Sequence, residues 1–243
     1  MKKNKIIIGL VFVFSSISFV LKAQDNPNKN MMLSPKEQAI VSIAAVTAKG
    51  DLSKLETKLN AGLDAGLTVN QIKEAIMHVY AYAGFPRSLR GLQTFITVLD
   101  KRKANGIEDV MGSDASPISD ERSKYDRGKA VLEELTGIPE TRPKTGYAAF
   151  APTIEVFLKE HLFADLFERD VLTYAERELV TVSILSSIGG VEPMLRSHLN
   201  ICLNTGLTPD QLQQFVEVIK QAVGKKEAKA AQQVLDEVLK DKK

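Results

Sequence analysis

Glu178 and His198 are the two residues in this chain whose types and surroundings point most directly to chemistry. Both lie in the stretch Leu172 to Leu207, which reads as two helices joined by Gly189-Gly190. At about 100° per residue, the wheel neighbours of Glu178 are Val171, Ala175, Val182 and Leu185. Those of His198 are Met194, Leu195, Ile201 and Cys202. Each polar group therefore points with an apolar face. Burying an unpaired carboxylate costs several kcal/mol or shifts its titration upward. An antiparallel hairpin can bring the two side chains into hydrogen-bond reach. The carboxylate would then orient the imidazole, and the imidazole could move a proton. The plainer alternatives are a carboxylate paired with a buried Arg or a helix N-terminus, and a core histidine.

Three further groups are candidates. Cys202 follows His198 by one helical turn. It reads as a small buried hydrophobe or as a redox thiol activated by the imidazole. The segment Tyr80-Ala81-Tyr82-Ala83-Gly84-Phe85-Pro86-Arg87 could wall a pocket with Tyr82 and Phe85. Arg87 would then supply a cation for an anionic ligand; the alternative is a helix-breaking turn with a solvated Arg. His78 reads as a core or interface residue, and His161 as a surface or cap residue.

The elements that must hold these residues are helical throughout. Ser34 is a good N-cap with Pro35 at the first helical position, and Thr68 caps a later helix. Apolar residues recur at helical spacing, and no alternating run or Asn-Gly hairpin signal marks a strand. The expectation is an all-α chain of eight to ten helices, with a break at Gly84-Phe85-Pro86. The turn region GIPETRPKTG lies between two helical segments, roughly 121–136 and 152–167.

The chain also repeats itself. Leu33 to Glu37 aligns with Leu172 to Glu176 at an offset of 139, and Leu59, Asn60, Leu63, Gly66, Leu67, Thr68 and Gln71 meet Leu199, Asn200, Leu203, Gly206, Leu207, Thr208 and Gln211 at 140. Gly84 meets Gly224, and one inserted residue in the turn accounts for the change of offset. Two such units should bury their apolar faces on each other as a pseudo-two-fold bundle. The expected organisation is a first repeat over 33–112, a linker over 113–125 and a second repeat with leading helices over 126–243. In the first repeat, Glu178 and His198 are matched by Ala39 and Lys58, so the scaffold tolerates other residues there.

Composition narrows the class. With 44% apolar and 26% charged residues, the chain can bury a substantial core. A net charge of +2, no Trp and no basic stripe argue against a nucleic-acid partner. A single cysteine excludes an intramolecular disulfide. No His, Cys and acidic cluster has metal-ligand spacing. The lysine-bearing start, the apolar run Ile6 to Leu21 and Leu21-Lys22-Ala23 read as a signal peptide over 1–23, cleaved after Ala23. Residues 24–32 read as a disordered start of the mature chain. The expectation is export, most simply to a bacterial periplasm, with no stable membrane insertion once the signal is removed.

The runs RELVTVSILSSIGGVEPMLRSHLNICLNTGLTPDQLQQFVEVI and IKEAIMHVYAYAGFPRSLRGLQ resemble the carboxymuconolactone decarboxylase family, which shares the alkylhydroperoxidase D-like fold. The match extends over nearly all of Leu33 to Leu239. It implies an all-α fold and a homo-oligomer, here a trimer of two-repeat chains. One branch decarboxylates a small lactone dicarboxylate without a cofactor. The other reduces peroxides with a Glu, a CxxC pair and a His. Glu178 and His198 fall on that Glu and His, but the cysteine positions fall on Val191 and Met194, and on Asp51 and Lys54 in the first copy. A dithiol peroxidase needs two thiols, so the resemblance favours a decarboxylase or related lyase acting on a small carboxylate or lactone. His198 would be the proton donor, Glu178 its partner, and Arg87 or Arg196 a carboxylate anchor. The alternatives are an alkylhydroperoxidase- or peroxiredoxin-type antioxidant, with Cys202 as its thiol, and a non-catalytic binding scaffold.

Overall fold

The computed structural model describes residues 32–140 and 144–242. The signal segment at 1–23 and all but Met32 of the segment at 24–32 lie outside the described residues. Every regular element among the described residues is helical. The first repeat comprises α1 (Pro35–Lys49), α2 (Leu52–Asp64), α3 (Val69–His78) and α4 (Tyr80–Ala104). The bridge carries α5 (Lys124–Thr136), α6 (Gly146–Phe150) and α7 (Pro152–Phe157), which runs on as a π-helical segment, Leu158–Leu166. The second repeat comprises α8 (Tyr174–Ile188), α9 (Glu192–Asn204), α10 (Pro209–Ala222) and α11 (Lys225–Asp241). The eleven helices among the described residues exceed the eight to ten expected. The excess is α6, at the end of what reads as a turn region; α7 with its wider continuation fills the helical segment expected at roughly 152–167.

Local chemistry explains the starts and stops. Ser34 with Glu37, Thr68 with Gln71, Thr173 with Glu176, and Thr208 with Gln211 form capping boxes at α1, α3, α8 and α10. Each side chain satisfies a backbone N–H that the first helical turn leaves unpaired. The four boxes occupy matched positions in the two repeats. Gly84 and Gly224 are matched as well. Both have positive φ, 81° and 125°, and extended ψ, 159° and 172°, so the chain breaks helical geometry at matched places, inside α4 as a kink and between α10 and α11. The insertion that changes the offset is Gly190, which with Gly189 turns the chain at φ 71° and 68°.

The core forms around α1 and α8, which pack on each other. Ile40 through Ala48 and Arg177 through Ser187 are buried without interruption. A helix buried all round belongs at the centre of a bundle. The other helices surround this pair, and the arrangement is exchanged between repeats: α3 packs on α8, and α10 packs on α1. A second apolar cluster joins Val131 and Leu135 of α5, Leu162, Phe163, Leu166 and Phe167, and Ile201 of α9. There α5 crosses the π segment so closely that a Cβ on Gly128 would stand 2.0 Å from the Lys159 carbonyl oxygen. The linker read at 113–125 ends inside α5, which already begins at Lys124; residues 107–123 have no regular structure, but they are tied down. Val69 and Asn70 donate their backbone N–H groups to the Val110 and Met111 carbonyls at 2.9 Å. Asn70 Nδ2 donates to the Gly112 and Ser113 carbonyls and to Asp114. Among the described residues no helix is long and apolar enough to cross a membrane.

Candidate active site at the junction of the repeats

Glu178 stands in the second turn of α8 and is fully buried. Its Oε2 accepts a hydrogen bond from His198 Nδ1 at 2.8 Å. The hairpin α8–α9 therefore makes the contact that the sequence pattern anticipated. The partner of Glu178 is an imidazole and not a buried arginine. The neighbouring Arg177 is buried too, but it turns to Glu74 on α3, Nη2 to Oε2 at 3.0 Å. With Nδ1 engaged, Nε2 is the free nitrogen of His198, and 12% of this side chain remains exposed. A buried carboxylate behind an imidazole that keeps a narrow opening to solvent is an arrangement able to hold and deliver a proton.

The first repeat supplies the other wall. The ring of Tyr82 meets the His198 ring edge-on, with centroids 5.9 Å apart and planes at 82°. The Thr181 hydroxyl, one turn after Glu178 on α8, donates to Tyr82 Oη at 3.3 Å. His78 Nε2 lies 3.0 Å from the same Thr181 oxygen. His78 also stacks on Tyr82 at 5.6 Å and meets Phe167 edge-on at 5.2 Å. Burial, then the charges of Arg177 and His198, hold the His78 ring well below its ordinary 6.5, so it is neutral in the fold. Burial, then the Glu178 charge, push the Tyr82 hydroxyl well above 10, so it keeps its proton.

Behind His78 lies a charged cluster. Arg169 and Arg177 both hydrogen-bond Glu74, which is 3% exposed. Burial pulls the Glu74 carboxyl upward, but the hydrogen bonds from the two guanidinium groups outweigh it and leave it below 4.5.

The remaining candidates are not gathered here. Phe85 is 61% exposed and stacks on Tyr80 at 4.6 Å. Arg87 packs its guanidinium over Gly50 at the C-terminus of α1, where a Cβ would stand 1.5 Å from Nη1. Arg196 pairs with Glu237, at 2.9 Å, and with Asp241, both on α11. Among the described residues neither arginine forms a hydrogen bond or ion pair with Glu178 or His198. Cys202 is fully buried in the main core. Burial, then the Glu178 charge, push its thiol well above 9. His161 is exposed and bonds Asp165 at 3.1 Å. Three surface hollows, of about 370, 560 and 220 Å³, border the linker, α5 or the bridge, and neither Glu178 nor His198 lines any of them.

His78 and Thr181 join the site without having been singled out for it. The signal that marks Glu178 also marks His78. The repeat sets His78 against Val218, a buried apolar residue.

The Carboxymuconolactone decarboxylase family model matches residues 28–95 and 152–237, more than half of the chain. The chain belongs to this family. The matched residues hold both walls of the site. The chain is also 28% identical over 122 residues to 4-carboxymuconolactone decarboxylase from Acinetobacter baylyi, an alignment covering 50% of this chain and 90% of that protein. The family explains the repeated helical unit, and the similarity gives decarboxylation a precedent on this scaffold.

Proposed function

We propose that this protein is a cofactor-independent acid/base enzyme, a decarboxylase or related lyase acting on a small carboxylate or lactone. The observation that carries the reading is the 2.8 Å contact between buried Glu178 and His198. In the step envisaged, the carbon–carbon bond to the substrate carboxylate breaks and carbon dioxide leaves. The electron pair moves onto a conjugated carbonyl oxygen as an enolate. Protonated His198 then gives the Nε2 proton to carbon, and the pair returns from oxygen. Glu178 keeps the imidazole oriented and offsets its charge. Tyr82, edge-on to His198, borders the substrate. The apolar walls, with Phe167 behind His78, limit water around the departing carboxylate.

The peroxide-reducing alternative has little support. Its remaining thiol, Cys202, is buried and held protonated, whereas an attacking cysteine must be a thiolate within reach of its substrate. Arg87 and Arg196 are the cations first considered as carboxylate anchors. Their engagement at Gly50 and on α11 assigns them a lesser part in this proposal.

The proposal extends to a homo-oligomer, with a trimer of two-repeat chains as the form implied. Phe85, Leu89 and Ile96 are 61, 53 and 59% exposed along α4, while the matched positions of α11 carry Lys225, Lys229 and Asp236. An exposed apolar stripe of this kind suits a subunit contact. Export rests on the reading of residues 1–23.

The test is turnover of 4-carboxymuconolactone, the compound in the relative's name, alongside other small unsaturated lactone acids. Carbon dioxide release would be followed, with light scattering to fix the oligomer. His198→Ala and Glu178→Ala are each expected to lower turnover by at least about 10²-fold with helicity intact. Full activity in either variant would sink the proposal.

A further inference from the structure

We propose that His78 and Thr181 are positioning residues that fix the direction of the Tyr82 hydroxyl, making its O–H a directed donor beside His198 for the substrate oxygen that gains charge. This deepens the decarboxylase reading and rests on it for the identity of that oxygen.

The directionality follows from counting protons. The Thr181 hydroxyl has one hydrogen to share between two contacts, His78 Nε2 at 3.0 Å and Tyr82 Oη at 3.3 Å. His78 Nδ1 is buried with no partner among the described residues, so a hydrogen placed there would be stranded. The proton of the neutral ring therefore belongs on Nε2 and is donated to Thr181, whose own hydrogen is left for Tyr82. Tyr82 Oη, already accepting, keeps its own O–H to donate elsewhere. Each bond in such a row polarises the next, so the terminal O–H is a stronger donor than a lone phenol. The groups that face His78 with charge, Arg177 with its partners Glu74 and Arg169 from one side and His198 from the other, do not hydrogen-bond its ring. The row therefore has one neutral tautomer end and one outlet.

The fold does not need this row. The repeat matches His78, Thr181 and Tyr82 with Val218, Ser42 and Ala222. Val218 and Ala222 are 6% and 1% exposed, so apolar residues fill the same positions in the other junction. The two changes coincide with the loss of Glu178 and His198, replaced there by Ala39 and Lys58. A relay kept where the pair is kept, and lost where the pair is lost, belongs with the pair.

Two measurements test the relay without any substrate. Nitrogen NMR of the labelled histidines should show His78 as the neutral Nε2–H tautomer near pH 8. Carbon NMR should show the Tyr82 Cζ resonance displaced in Thr181→Val and restored in Thr181→Ser, which keeps the hydroxyl. A third measurement uses 4-carboxymuconolactone. There Tyr82→Phe should lower kcat about 10²-fold, as removal of an oxyanion donor does. Thr181→Val should lower it about tenfold with KM unchanged and Thr181→Ser near wild type. His78 as the Nδ1–H tautomer, or a Tyr82 resonance displaced equally in the Ser and Val variants, overturns the relay. Absence of turnover by the wild type counts against the decarboxylase reading alone, and the ring signals still decide the relay.

Discussion

Two junctions in this molecule are built on one scaffold. Where α3 meets α8, five polar side chains converge: Glu178, His198, Thr181, His78 and Tyr82. Where α10 meets α1, the matched positions hold Ala39, Lys58, Ser42, Val218 and Ala222. The charged cluster behind the first junction has a neutral counterpart too. Arg177 and Glu74 are matched by Gln38 and Gln214. Gln38 Nε2 donates to the Leu33 carbonyl at 2.8 Å, and Leu33 N–H donates to Gln214 Oε1 at 2.5 Å. Both junctions are well packed, so packing does not explain the difference. Polar groups that a buried site can do without are costly there, and their presence on one side only is what supports the proposed site on that side.

The sharpest way to break the comparison is to make the first junction resemble the second. Glu178→Ala with His198→Lys installs residues the scaffold already carries at matched positions. The double variant should fold and lose turnover by about 10²–10⁴-fold, the usual contribution of a positioned acid/base group. Carbon dioxide release and circular dichroism check the two halves of that statement. Retained turnover would place the chemistry elsewhere.

Stability offers the next test. Glu74→Gln removes the carboxylate that both Arg169 and Arg177 use, and Arg177 is fully buried. Stranding that guanidinium should cost about 3–5 kcal/mol. Adding Arg177→Gln reproduces the pairing of residue types at the other junction, and should recover much of the loss. Urea unfolding of the single and double variants measures the recovery. Additive losses would show that the two glutamines cannot stand in for the ion pair.

A smaller effect concerns pH. His78 is neutral in the fold because its ring is held well below 6.5. As pH falls below 6.5, the unfolded chain binds a proton at this ring and the folded chain does not. Stability should fall over that window by up to about 1.4 kcal/mol per pH unit. Glu74 acts lower: its carboxyl is held below 4.5, so its contribution is present above 4.5 and is lost as pH drops through the folded value. His78→Val should flatten the slope just below 6.5 and leave the limb below 4.5 in place. An unchanged slope would mean that His78 ionises in the folded state.

Much of this architecture is legible in the sequence. Ser34 and Thr68 announce helix starts because capping is a local interaction, and the repeat aligns them with Thr173 and Thr208. The repeat follows from identities such as Gly66-Leu67-Thr68 with Gly206-Leu207-Thr208. Glu178 and His198 could be paired because a hairpin with a short turn constrains both of its faces. Legibility ended where contacts cross from one repeat to the other. A helical wheel assigns His78 to a face but does not say which helix covers that face, so its bond to Thr181 is not visible in the sequence. The Tyr80–Arg87 segment and the family resemblance point to Arg87 and Arg196 as anchors, while their partners, Gly50 and α11, are set by packing between elements. The π segment at 158–166 was also unreadable, because its wider turn meets the α5 backbone at Gly128 through a tertiary contact.

Cys202 completes the comparison on the smallest scale. Its matched residue is Gly62, which leaves so little room that a Cβ there would stand 2.9 Å from Ile43 Cδ1. In the second repeat the same position has space for a thiol, and Cys202 fills it with no exposed surface. Burial and the nearby Glu178 charge keep that thiol protonated, and a protonated buried sulfur is a poor nucleophile. Cys202→Ala should cost about 1 kcal/mol, the usual effect of removing one buried heavy atom, and should leave turnover unchanged. An aromatic disulfide reagent should label the native protein only as fast as it unfolds. Rapid labelling of folded protein, or turnover lost in Cys202→Ala, would return the sulfur to the chemistry; thiol-dependent peroxide consumption that disappears in the same variant would favour the peroxide-reducing alternative.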